Sequence, residues 1–123
     1  MEEKTARVLS AIKSKYGVSP EFLWADTPDN SALRNSTSGK WFGALLMNLP
    51  LKKLGLTEGT ADILNLKCEP PLIPLILNGE SIFRGYHMNK EHWISVIIDR
   101  IDESELFSLI DLSYTLTTKK VRK

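Results

Sequence analysis

Residues 85–96 read GYHMNKEHWISV, and no other stretch of the chain says more about its fold. Two histidines, two aromatic side chains and a lysine surround Asn89-Lys90, a turn dipeptide because Asn tolerates left-handed backbone geometry. A run of β-branched residues follows directly. The pattern predicts a β-hairpin whose strands cover Phe83–His87 and His92–Asp99.

Upstream of this hairpin the sequence predicts further short strands separated by turns rich in Pro, Asn, Ser and Gly. The strand candidates are Phe22–Trp24, Ala32–Asn35, Lys40–Met47 and Ala61–Lys67. A short helix is then predicted from Pro70-Pro71 to Asn78-Gly79, although Pro74 removes one backbone donor from it.

A helix is predicted at each end of the chain. Residues 2–16 are amphipathic and stop at Gly17. The last helix begins at Asp102, with Glu105 in the position of a capping box. Its expected core-facing stripe is Leu106, Leu109, Ile110, Ser113 and Leu116.

The predicted order is helix, three or four strands, helix, two strands, helix. Short strands joined by tight turns favour an α+β fold with two layers, in which helices cover an antiparallel sheet. Residues 1–118 are expected to form one domain, and residues 119–123 a basic tail without fixed structure.

Composition narrows the class of protein. The chain has 123 residues, of which 42% are hydrophobic and 25% charged, so a core can form without metal or disulfide support. Its single cysteine, Cys68, and its acidic, polar N-terminus favour a cytoplasmic protein with no membrane segment. The net charge of +1 argues against a large electrostatic footprint for nucleic acid, while a local basic patch remains compatible with it.

Several short motifs are distinctive when they are taken together. In chain order they are Leu23-Trp24, Pro28, Arg34, Lys40-Trp41-Phe42, Leu54-Gly55-Leu56, Ile63–Pro70, Tyr86–Trp93 and Ser113-Tyr114. In this order and spacing they resemble the bacterial MmcQ/YjbR family. The resemblance covers nearly the whole chain. It implies a fold similar to frataxin-like and secretion-chaperone-like domains, a cytoplasmic location, and the DNA-binding, double-wing description attached to the family. No concentrated basic helix suited to a major groove is present in this chain.

The residues of the predicted hairpin and the start of the Lys40 strand are the candidates for a nucleic-acid site. Lys40, Arg84 and Lys90 would contact phosphates, with Tyr86 and His87 as stacking or polar contacts and Asn89 shaping the turn. Basic residues interleaved with aromatics suit single strands, and hairpin wings could also track duplex phosphates.

A structural role competes with each of these assignments. Trp41 and Trp93 are expected to be core anchors, because a domain of this size needs the large area that tryptophans bury. Tyr114 is expected to pack against the sheet, and Asn89 to serve the turn alone.

Other chemistry finds little support in the sequence. His87 and His92 could bind a metal with Cys68 or Asp99, but their spacing is not typical of ligands. Cys68 could be a nucleophile, although lone cysteines are more often buried apolar residues. We expect no catalytic residues, no metal and no cofactor.

Two alternatives to DNA binding remain open. One is an adaptor that binds a protein or peptide at an exposed sheet edge or an apolar groove. The other is a small-ligand site near His87 and His92. The expected partners are therefore DNA or another protein, and the expected oligomeric state is a monomer or weak dimer.

Overall fold

In the computed structural model, which describes residues 2–118, one antiparallel sheet carries three α-helices. The helices are α1 (Glu3–Tyr16), α2 (Ile73–Ile76) and α3 (Glu103–Thr118), and the strands are β1 (Ser31–Arg34), β2 (Trp41–Pro50), β3 (Thr60–Lys67), β4 (Ile82–Arg84) and β5 (Trp93–Ile97). The strand order is β1-β2-β3-β5-β4. The predicted α+β class is confirmed, with three strands before α2. The tail predicted at residues 119–123 lies outside the described residues.

The ends of the two long helices follow their sequence signals. Gly17 adopts φ 69°, a left-handed conformation that favours glycine, and its N–H donates to Lys13 O at 2.9 Å. At the start of α3 the Asp102 carboxylate accepts the backbone N–H groups of Ser104 and Glu105 at 3.1 and 3.3 Å. The Ser104 hydroxyl and then the Glu105 amide hold the pKa of Asp102 below its ordinary value.

Two hydrophobic clusters lie on opposite faces of the sheet. On β3, Leu64 and Leu66 belong to the main core beneath α1 and α3, whereas Ile63 belongs to a smaller cluster with Ile97. This division follows from the period-two alternation of side chains along a strand. Residues 51–56 cover the second cluster, so only part of the face opposite the helices remains open.

The strand predicted at Phe22–Trp24 is wrong. Glu21 exchanges two backbone hydrogen bonds with Ala32, each 2.9 Å long, and the chain then leaves the sheet. Phe22 and Leu23 are 62% and 47% exposed, so no second strand or core covers them. The segment that follows is a loop over the edge of the sheet.

Two helix predictions also need correction. α2 spans only Ile73–Ile76. Pro74 is tolerated only in the first turn of a helix, so the helix cannot begin at Pro70-Pro71, and the Asn78 carboxamide turns the chain by accepting the N–H groups of residues 80–82. On α3, Leu116 is 39% exposed and is not part of the core stripe. The buried position is taken by Thr117, whose hydroxyl donates to Ser113 O at 2.9 Å.

Candidate functional site

Two hairpin loops lie at the same end of the sheet. The first wing joins β1 to β2 (residues 35–40), and the second wing joins β4 to β5 (residues 85–92). Gly43 pairs with Leu66 and Lys67 pairs with Trp93, so the start of β2, the end of β3 and the start of β5 are level. We call this the wing end. Three strand spacings, about 14 Å, separate β2 from β4 there.

A β-bulge in β2 decides on which face of the sheet Trp41 lies. Leu33 pairs with Gly43 and Arg34 pairs with Trp41, which leaves Phe42 as the extra residue. The Phe42 ring packs under the helices, whereas the Trp41 ring lies on the open face, 5.6 Å from the ring of Trp24. Bulges commonly reorient side chains in this way near functional sites.

A buried serine on α3 joins β2 to β3 next to the first pair of their ladder, Gly43 with Leu66. The Ser113 hydroxyl donates to Phe42 O at 2.6 Å and accepts the N–H of Lys67 at 2.9 Å. Nearby, the Asn35 side chain donates to Tyr114 O at 2.9 Å. The C-terminal half of α3 therefore holds the first wing and the end of β3 in place.

Close contact between Gly85 and Trp93 sets the path of the second wing. The Gly85 N–H donates to Trp93 O at 2.9 Å. A Cβ at Gly85 would lie 2.7 Å from Trp93 Cβ and 3.1 Å from Trp93 O, so only glycine fits. The strand predicted to continue to His87 is wrong, because β4 ends at Arg84 and the chain turns at residues 86 and 87.

A buried polar network anchors this turn. The Ser95 hydroxyl donates to Asn65 Oδ1 and accepts the N–H of Tyr86 at 2.7 Å, and Asn65 Nδ2 donates to Tyr86 O at 3.0 Å. The next residue, His87, adopts φ 60°, which is uncommon for a residue other than glycine. Such strain persists only where neighbouring contacts impose it, and it is concentrated at functional sites.

Between the second wing and the loop before β1, the open face of the sheet forms a cleft of about 360 Å³. We call it the aromatic cleft, and its lining residues are Trp24, Thr27, Asn30, Trp41, Ala44, Leu46, Asn65, His87 and Met88. The lining is mostly apolar, with a few polar groups, as is usual for small-ligand sites. No lining residue within the described chain carries a carboxylate or an ammonium group.

Basic side chains are spread along the wing end. Lys90 Nζ donates to Gly85 O at 3.0 Å, and Lys67 Nζ lies 5.9 Å from the Trp93 ring centroid. Within residues 2–118, neither Lys67, Arg84 nor Lys90 has a carboxylate ion-pair partner. Glu69 and Glu91 lie at the same end, where Glu21 also pairs with Arg34 at 3.1 Å, so the local excess of positive charge is modest.

The predicted site residues gather at the wing end. Lys40 lies in the first wing, Arg84 closes β4, and the remaining four lie in the second wing: Tyr86, His87, Asn89 and Lys90. His87 also lines the aromatic cleft. Asn89 shapes the turn as expected, because its side chain accepts the N–H of Glu91 at 2.9 Å.

The aromatic cleft was not predicted from the sequence. Trp24 was assigned to a strand, and Trp41 to the core, where the structure leaves it half-buried while Trp93 is buried. A signal was nonetheless present: the polar Asn65 alternates with leucines in a strand that is otherwise buried. A buried amide in such a strand indicates a specific hydrogen-bonding role.

The cysteine and histidines do not form a common centre. Cys68 is buried in the main core, where desolvation raises the pKa of its thiol. His92 is exposed and lies outside the aromatic cleft. Across residues 2–118, no three His, Cys, Asp or Glu side chains are grouped so that they could hold a metal ion.

The fold and the paired hairpin wings define a class of small α+β domains. The chain belongs to the YjbR family, whose model matches residues 13–116. It is 46% identical over 112 residues to YyaQ of Bacillus subtilis strain 168, described as an uncharacterized protein, and the match covers 89% of this chain and 94% of YyaQ.

Solved structures share the fold. A crystal structure of a Pseudomonas syringae protein matches with a TM-score of 0.86 and 33% identity, covering 95% of this chain and 99% of that one. A Deinococcus radiodurans protein with a DUF419 domain matches with a TM-score of 0.63 and 21% identity, covering 94% and 78% of the two chains. None of the helices in residues 2–118 has the length and apolar character needed to cross a membrane.

Proposed function

We propose that this protein is a non-enzymatic, cytoplasmic DNA-binding module that contacts phosphates through its two wings. The observation that carries the proposal is the placement of basic residues on both hairpin loops at one end of the sheet. The spacing of about 14 Å between β2 and β4 is close to the roughly 12 Å width of the B-DNA major groove. Phosphates on the two sides of a groove are thus within reach of Lys40 on one wing and Lys90 on the other.

The second wing keeps donors available for phosphate. Arg84 Nη1 donates to Lys90 O at 3.5 Å, and Lys90 Nζ donates to Gly85 O. An ammonium has three N–H donors and a guanidinium five, so each group retains donors after these local bonds. The backbone carbonyls hold both cations at the loop, which lowers the entropy cost of meeting a phosphate.

The direct test is the salt dependence of binding to a short DNA duplex. We expect the double variant Arg84→Gln/Lys90→Gln to bind more weakly, with a slope of log K against log salt that is shallower by about 2. The matched control is Lys52→Gln/Lys53→Gln, which removes two cations from the opposite end of the sheet. Equal affinities and slopes for the double variant and the unmodified protein would contradict the proposal.

A second candidate function is an adaptor for another protein. The observation that favours it is the exposure of Phe22 and Leu23, two adjacent large apolar side chains beside Trp24 of the aromatic cleft. Exposed apolar patches often mark protein interfaces. Sedimentation at increasing concentration would show whether the partner is a second copy, and Phe22→Ser should abolish any such association.

A further inference from the structure

The chemistry of the aromatic cleft favours a flat, neutral occupant. Trp24 and Trp41 meet edge to face, with their planes at 86°, and Met88 adds a polarizable side chain to the apolar lining. Because the lining carries no carboxylate or ammonium group, a charged ligand would lose its hydration without gaining a counter-ion there. A planar ring with polar edges suits such walls, since it stacks on aromatic faces and hydrogen-bonds at its rim.

Two lining side chains can form hydrogen bonds with the polar edge of such a ring. Asn30 Oδ1 accepts the N–H of Met47 at 2.8 Å, and no hydrogen bond within residues 2–118 uses the two N–H donors of its amide. The His87 ring contacts the Tyr86 ring, with centroids 4.0 Å apart, and within the same residues its nitrogens make no hydrogen bond. Asn65 is only 1% exposed and is already bonded, so it forms the floor of the cleft.

The charged residues around the aromatic cleft indicate from which side a nucleic-acid strand would approach it. The wing side carries Lys67, Arg84 and Lys90 without carboxylate partners in the described chain. The loop on the other side carries Asp26 and Asp29, both exposed, which repel phosphate. A nucleic-acid backbone would therefore follow the wing end, with its base directed toward the cleft.

We infer that the aromatic cleft takes one unstacked nucleobase from a strand whose phosphates lie along the wing end. The base stacks on the Trp24 ring, beside Trp41, and its polar edge bonds to Asn30 and His87. This inference rests on the proposed function and narrows it, because it makes single-stranded or distorted DNA the preferred ligand. A paired, stacked base in an intact duplex cannot enter the cleft without the cost of unstacking.

The test uses two probes with the same phosphates: a short oligothymidylate, and an oligomer of equal length with abasic sites at every position. Binding is followed by tryptophan fluorescence and anisotropy at low salt. We expect oligothymidylate to bind about tenfold more tightly than the abasic oligomer, since stacking one base contributes roughly this factor. Trp24→Ala should remove the difference, Trp24→Phe should retain most of it, and Leu75→Ala, an exposed residue of α2, should leave it unchanged.

The outcomes separate the two proposals. Equal, salt-sensitive binding of both oligomers would overturn the base site while leaving phosphate binding at the wings intact. Absence of binding by either oligomer, while a short duplex still binds with the expected salt dependence, would overturn the base site alone. Absence of binding by the duplex as well would overturn the proposed function and the base site with it. Tighter binding of oligothymidylate that survives Trp24→Ala would place the base elsewhere and overturn the assignment to this cleft.

Discussion

The Ser95 hydroxyl donates to Asn65 Oδ1, and this buried pair on neighbouring central strands anchors the second wing at Tyr86. The same hydroxyl accepts the Tyr86 N–H, while the Asn65 amide donates to Tyr86 O. Both side chains are at most 1% exposed. The network links the interior of the sheet to the turn that places His87 in the aromatic cleft.

Ser95→Ala should destabilise the protein by about 1–3 kcal/mol, because the Tyr86 N–H and Asn65 Oδ1 both lose a buried partner. Urea denaturation measures the loss. The matched control is Ser10→Ala on the exposed surface of α1, which should change the free energy of unfolding by about 0.5 kcal/mol or less. Similar effects of the two substitutions would show that the network is not important for stability.

Gly85→Ala should cost about 1–3 kcal/mol through steric overlap, since the added Cβ would lie 2.7 Å from Trp93 Cβ on the neighbouring strand. The overlap should also displace the second wing, so amide exchange should quicken in residues 85–92 more than in β2 or β3. Thermal denaturation and hydrogen exchange measure the two effects. Unchanged stability and exchange would mean that β4 and β5 can separate at this point without cost.

His87→Gly should stabilise the protein by about 1 kcal/mol, because glycine adopts φ 60° without the strain that a side chain meets there. The same substitution should weaken binding of oligothymidylate, because the ring is lost from the aromatic cleft. A gain in stability with a loss of affinity is the expected sign of strain retained for function. A loss of stability would show instead that the contact of the His87 and Tyr86 rings outweighs the backbone strain.

Glu2 gives the stability of the protein a predictable dependence on pH. Desolvation, followed by the carboxylates of Asp62 and Asp99, raises the pKa of Glu2 above its ordinary 4.5. A raised carboxyl pKa means that the folded state binds the proton more tightly than the unfolded state. Protonated Glu2 therefore stabilises the folded protein. This stabilisation is fully present below the pKa of Glu2 in the unfolded state, and it is lost as the pH rises through the pKa of Glu2 in the folded state.

Glu2→Gln mimics the protonated form and should raise the free energy of unfolding at neutral pH, by less than the loss for Ser95→Ala. At pH values well below 4.5 the gain should vanish. Glu3→Gln is the control, since that side chain is 92% exposed and pairs with Arg7 across one turn of α1. Denaturation curves at the two pH values measure the difference, and an equal gain at both would mean that charge is not the cause.

The sequence predicts those parts of the fold that depend on local patterns. The end of α1 at Gly17, the cap at Asp102 and the strand predicted over Ala61–Lys67 each follow from a few neighbouring residues, and the structure confirms them. The turn between β1 and β2 and the turn at Asn89 were also expected, since Ser, Gly and Asn favour turns.

Asn65 marked the floor of the aromatic cleft in the sequence, but the tryptophan walls could not be predicted, because they depend on contacts between distant segments. Trp24 reaches Trp41 only because a loop crosses the sheet edge and a bulge reorients one residue of β2. Neither the loop nor the bulge leaves a local pattern in the sequence. Residues Phe22–Trp24 have strand propensity, but their exposed position overrides that preference. Leu116 was assigned to the core stripe of α3, but Thr117 occupies the buried position instead. This is possible because the Thr117 hydroxyl donates a hydrogen bond to Ser113 O within the helix.

The most direct measurement of DNA binding at the wing end is a backbone amide NMR titration of the full chain with a short oligothymidylate, at low and at moderate salt. We expect shifts confined to residues 35–41 and 85–92, with smaller ones around Trp24, and we expect all of them to fade as salt rises. The control region is residues 51–59 at the opposite end of the sheet, which should not respond. Shifts absent from both wings at low salt, or equally large at residues 51–59, would contradict the account.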